Sequence, residues 1–125
     1  MPSHDLDAIL LDVLKLFAPL PHRIDIRWVD LDDTDTALFD EIRDWACCHG
    51  TKAGLFIGIH PVLKRAPRYV LMYIVAHEVL HLAIPPHKGI AHTKAFYVAE
   101  RLLPGYHKAI AWLGEKTHPA PKAEL

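Results

Sequence analysis

The chain has 125 residues, a net charge of -1 and 51% hydrophobic side chains. That is enough apolar material for one ordinary domain core, and it argues against a polybasic nucleic-acid binder or a charged disordered tail. Ten of the residues are histidine, the commonest metal ligand, so composition already asks whether some of them form a site.

Leu6, Ile9, Leu10, Val13, Leu14 and Phe17 recur at helical spacing, which predicts a first amphipathic helix with Ser3 as N-cap and Pro19 and Pro21 beyond its end. Ile24, Ile26 and Trp28 alternate with polar residues, which predicts a strand over 23–29. An acidic turn, 30–35, follows. It matches a calcium loop at Asp30, Asp32 and Glu41 but has Asp35 where that loop needs glycine, so helix capping and solvation are its reading. Leu38, Phe39, Ile42, Trp45 and Ala46 predict a second helix stopped at Gly50. Leu55–Ile59, bounded by Gly54 and Pro61, predicts a second strand. A long helix follows from Pro67 to Ile84, closed by Pro85 and Pro86.

Beyond the loop His87-Lys88-Gly89, a further helix is predicted to open at His92, with Ala95, Phe96, Ala99, Leu102 and Leu103 inward. Residues 106–114 predict a last helix with Ile110 and Leu113 inward, and 117–125 a frayed tail. The expected organisation is a single domain over 1–116 followed by that tail.

Cys47 and Cys48 are adjacent and unsuited to a mutual disulfide. They read as small buried residues, and a reduced, cytoplasmic setting is expected. No signal peptide is expected from the N-terminal residues. The apolar run 69–84 contains His77, Glu78 and His81, and is too short and too polar for a bilayer. Charge is uneven, net -7 over 1–45 and +6 over 46–125, as two halves packing with complementary surfaces would be.

The chemistry lies in His77-Glu78-Val79-Leu80-His81, an H-E-x-x-H motif on the long helix. Histidines four apart on a helix stand one turn above each other, so both imidazoles reach one zinc ion. Glu78 is rotated by about 100° from His77. It can stand beside the metal as general base and acid for a zinc-bound water. The helix is apolar nearly all round and therefore buried, and ionisable groups inside it need partners, which a metal supplies. Spacing leaves the third ligand open among His87, at metzincin spacing but without that group's glycine or Met-turn, His92 and Glu100. Tyr73 reads as core, and Tyr106 and His107 as packing or as donors near the site.

Residues Tyr73–Leu82, then His92-Thr-Lys-Ala-Phe96, then Leu103-Pro-Gly-Tyr106, resemble the YgjP-like and SprT-like metallopeptidase group over about 54–114. The resemblance implies His92 as third ligand and no metal on Glu100, although the interval from His81 to His92 is longer than in that pattern. It also suggests that the strand at 54–60 pairs with an extended substrate. The reading is an α+β, zincin-like fold, a small sheet on a buried helix. The expected activity is that of a zinc-dependent peptidase holding one zinc on His77, His81 and His92, acting on peptide or protein substrates, with no membrane or strong nucleic-acid signal. A YbeY-like endoribonuclease using His77, His81 and His87 is one alternative. A zinc-stabilised interaction module with all four metal positions filled by protein is another.

Overall fold

The computed structural model describes residues 4–20, 23–29, 46–51, 54–85, 87–90 and 92–114, and over 47–51 the backbone alone. Among the described residues, four helices and a three-stranded sheet make an α+β fold: α1 (Leu6–Leu14), β1 (Ile24–Trp28), β2 (Ala46–Thr51), β3 (Gly54–Ile59), α2 (Arg68–Ala83), α3 (Lys94–Arg101) and α4 (Tyr106–Gly114). A short 3-10 turn, Pro61–Arg65, joins β3 to α2.

Helix α1 buries Leu6, Ile9, Leu10 and Val13, the stripe its periodicity predicts. Its cap is Asp5, not Ser3: the Asp5 side chain accepts from the Ala8 N–H, satisfying a donor the first turn would leave open. Ser3 lies outside the described residues. Two polar contacts tie this end of the chain to the start of α2 and the residues just before it. Asp12 accepts from Arg68, whose guanidinium holds the exposed carboxyl below its usual range, and a His4 ring nitrogen lies 2.6 Å from the Ala66 carbonyl.

The sheet order is β1-β3-β2, with β1 parallel and β2 antiparallel to β3. Two expectations change here. Residues 46–50, expected to end the second helix, form a strand: Ala46 pairs with Ile59 and Thr51 with Gly54. Helical spacing over Leu38–Trp45 says nothing of this, because pairing with β3 satisfies the backbone groups of 46–51 and overrides local propensity. The rest of that expected helix, the acidic turn, the cysteine side chains and the tail lie outside the described residues. Second, β3 is the middle strand, its two edges taken by β1 and β2. It has no edge on which a substrate strand could add, so the expected substrate pairing with β3 is withdrawn.

Gly54 explains how β1 comes so close. The Leu55 N–H donates to the Arg23 carbonyl at 2.7 Å, and Gly54 has φ +145°. A Cβ there would stand 2.1 Å from the Arg23 oxygen. Gly54→Ala is expected to destabilise the chain by about 2–4 kcal/mol, from that clash and a φ that side chains resist. The urea midpoint measures it, and a wild-type midpoint would mean the β1 end gives way freely.

Helix α2 is buried on every side. Val70, Leu71 and the eight residues from Tyr73 to Leu80 are all interior, under α1, α3, α4 and the sheet. Each buried aliphatic side chain there contributes about 1.5–3 kcal/mol. That surplus offsets the cost of placing His77 and Glu78 in the same interior. Among the described residues no helix is long and apolar enough to cross a membrane.

The two C-terminal helices differ in detail from their periodicity. Helix α3 starts at Lys94 with Thr93 as N-cap, so His92 stands just before the helix instead of opening it. Its interior pair is Phe96 and Glu100, one turn apart, while Ala95 and Leu102 are exposed. In α4 the buried residues are Ala109 and Leu113, and Ile110 faces outward.

Candidate metal centre

Helix geometry stacks His77 and His81 one turn apart, with ring centroids 5.1 Å from each other. His92 joins them from the other side of a tight turn. His87 and Ile90 exchange both backbone hydrogen bonds at 3.0 Å, and the two residues between them, Lys88 and Gly89, have φ +51° and +80°. Positive φ at both central positions is the type I′ pattern that reverses a chain most tightly. The reversal brings His92 back to α2, its ring centroid 5.3 Å from that of His77 and 5.1 Å from that of His81. The three histidines each offer a ligand atom within 4.8 Å of the others, a group able to hold one metal ion.

Phe96 forms the floor of this group. It is fully buried, and its ring centroid lies 5.2, 4.5 and 4.8 Å from those of His77, His81 and His92. Phe96 lies in the first turn of α3, where the Thr93 hydroxyl accepts from its N–H and starts the helix at the right point. His81 and His77 meet Phe96, while His77 and Tyr73 meet Glu100. Rising numbers on α2 therefore face falling numbers on α3, and the two helices run antiparallel at the site.

The two rival ligand candidates are placed elsewhere. His87 is exposed on the tight turn, outside the three-histidine group. Glu100 is buried behind the group, where its Oε2 lies 2.6 Å from His77 Nδ1 and accepts the Tyr73 hydroxyl at 2.8 Å. From the sequence, Glu100 is expected only as a candidate ligand and Tyr73 only as core. The available signal was spacing: Tyr73 precedes His77 by one turn, and Glu100 follows Phe96 by one turn, so both extend the stripes that carry the site.

Burial pushes the His77 imidazolium pKa down, against the opposing pull of Glu100, so the ring is held neutral. Burial alone would raise Glu100. The hydrogen bonds from His77 and Tyr73 outweigh it and keep the carboxyl below its usual range. Burial, then the neighbouring Glu100 charge, push Tyr73 far above the usual phenol range, so it stays an O–H donor. A neutral ring beside an ionised carboxylate carries its proton on Nδ1. Its Nε2 is then a lone pair, buried and with no hydrogen-bond partner among the described residues. A neutral imidazole nitrogen directed into a cluster of two others is the donor set that zinc and similar divalent ions take.

Glu78 is fully buried, on the turn of α2 that carries His77. Tyr106 packs edge-on against Tyr73 at 5.7 Å, as an ordinary aromatic pair, and His107 is exposed. Of the other described histidines, His60 is also buried and caps the 3-10 turn through Val62 N–H.

The family model for the YgjP-like metallopeptidase domain matches residues 32–116. The match spans β2, β3, α2, α3 and α4 together with all three histidines, and leaves α1 and β1 outside it. No curated protein and no solved structure matches the chain. With more than half of its length matched, and the three histidines within the match, this chain belongs to the YgjP-like metallopeptidase domain family.

Proposed function

We propose that the chain is a zinc-dependent peptidase in which His77, His81 and His92 hold one zinc ion and Glu78 is the general base and acid. Membership of a metallopeptidase family implies a hydrolase, a divalent metal and peptide or protein substrates. The observation that supports the finer reading is the convergence of three histidine ligand atoms within 4.8 Å, two from α2 and one from the segment leading into α3. Three protein donors are the number that catalytic zinc sites use, since a fourth position is needed for water or substrate. Zinc, when bound, would polarise the scissile carbonyl and acidify a water molecule.

The chain's own residues supply the rest. A Glu78 carboxylate oxygen takes a proton from the attacking water and returns it to the leaving amine nitrogen. Phe96 excludes water from beneath the imidazoles, which strengthens every charge interaction at the site. A nuclease reading would use His77, His81 and His87. A closed four-ligand site would use His87 and His92 together. His87's exposure on the tight turn favours neither.

The test uses the full chain reconstituted with Zn2+, assayed on casein and on structured RNA. Casein cleavage is expected, lost on treatment with a zinc chelator and restored by added Zn2+. Chelator-resistant cleavage, or RNA cleavage in place of casein cleavage, would overturn the reading. So would a full chain that takes up no zinc.

A further inference from the structure

We infer that Glu100 and Tyr73 are a positioning pair for His77. Glu100 fixes the imidazole proton on Nδ1 and the ring's orientation, and Tyr73 holds the carboxylate in place. The inference rests on the zinc reading above, but its geometry stands independently. His77 has one ring nitrogen 2.6 Å from Glu100 Oε2, and the same oxygen accepts the Tyr73 hydroxyl at 2.8 Å. All three side chains are buried, with exposures of 3% for Tyr73 and His77 and 7% for Glu100.

An imidazole has two tautomers, and only one presents a lone pair at Nε2. With Nδ1 donating to a carboxylate, Nε2 is left as the atom His77 offers to the group. Without that partner the ring is free to place its proton on Nε2 or to rotate about its side-chain bonds, and either change spoils the convergence with His81 and His92. A carboxylate can itself swing away. The Tyr73 hydroxyl, delivered from the α2 turn preceding His77, opposes this by occupying the same oxygen. Tyr73 is fixed in turn by the Tyr106 ring packed edge-on against it. The chain from Tyr106 through Tyr73 and Glu100 to His77 thus links α4, α2 and α3 to one ring orientation.

Two readouts on the full chain test the pair, and the first needs no metal. In the metal-free protein, the 15N resonances of His77 report its tautomer. The wild type is expected to show the Nδ1–H form, and Glu100→Gln, which keeps the volume but loses the charge, a mixture with the Nε2–H form. The second readout is Zn2+ affinity by competition with a chromophoric chelator. Glu100→Gln is expected to bind about 10–100-fold more weakly. Tyr73→Phe, which removes one oxygen atom, is expected to weaken binding less and to add little in the Glu100→Gln background.

A Glu100 that merely fills space would lower the melting temperature of the variant and leave tautomer and affinity unchanged, and that result overturns the inference. If Glu100→Gln does not fold, Tyr73→Phe carries the test alone, and wild-type tautomer and affinity in that variant overturn it. Failure of the wild type to bind zinc would sink the peptidase reading, while the tautomer would still decide the role of Glu100.

Discussion

Glu78→Gln is expected to keep one zinc ion per chain and to lose peptide hydrolysis by at least about 10²–10⁴-fold, the usual weight of a positioned general base. The substitution is close to isosteric, so the packing of α2 around a fully buried side chain is preserved. What changes is the ability to accept a proton, which an amide lacks at neutral pH. Zinc content is measured on the purified variant by elemental analysis, and hydrolysis by steady-state kinetics on the substrate the wild type cleaves. The loss should fall in kcat, with KM little changed, because proton transfer belongs to the reaction and not to substrate binding. A variant that keeps its zinc and hydrolyses at the wild-type rate would remove Glu78 from the chemistry. A variant that loses zinc would show that Glu78 shapes the metal centre instead.

Phe96→Ala should have the largest effect on stability, a loss of about 3–5 kcal/mol, as for other fully buried aromatic side chains cut to alanine. Phe96 touches three histidine rings that come from two separate parts of the chain, so the cavity left behind opens under the metal centre itself. The same variant should therefore bind Zn2+ more weakly even under conditions where it remains folded. Denaturant unfolding of the metal-free and zinc-loaded forms separates the two effects, since a ligand stabilises the fold by an amount set by its affinity. Phe96→Leu, which refills most of the volume, should recover most of the stability. If zinc stabilises Phe96→Ala as strongly as it stabilises the wild type, the ring is core packing alone.

The match to the family begins at residue 32, yet two elements before it contribute to the interior. Helix α1 buries four side chains and packs on α2, and β1 supplies one edge of the sheet. Helix α1 covers α2 on a side that α3 and α4 do not, and β1 pairs with β3 and meets α1. A helix as apolar as α2 needs that cover on all sides, whereas an amphipathic one would need it on one.

How much of this is legible in the sequence follows from the range of the interactions involved. The α2 helix, its ends and its burial were legible from Pro67 to Pro86, because apolar residues on every face leave a helix only one environment. His77 and His81 were legible because their relation is set inside a single helix, by a rise and a rotation that do not depend on the rest of the molecule. The strand at 46–51 was not legible. Its backbone partners lie on β3, and the residues before it carry helical spacing.

The third histidine shows the same limit. His87, His92 and Glu100 all stand at defensible distances along the chain, and no count of intervening residues separates them. The type I′ reversal through Lys88 and Gly89 exposes His87 and returns His92 to α2, while the antiparallel course of α3 places Glu100 behind His77. By itself the sequence determined that one buried helix carries two histidines and a glutamate in the geometry of a metal site. Only the tertiary structure decided which residues from elsewhere meet them, because a contact between distant segments depends on where the chain turns, and a turn of two residues is enough to exchange one candidate for another.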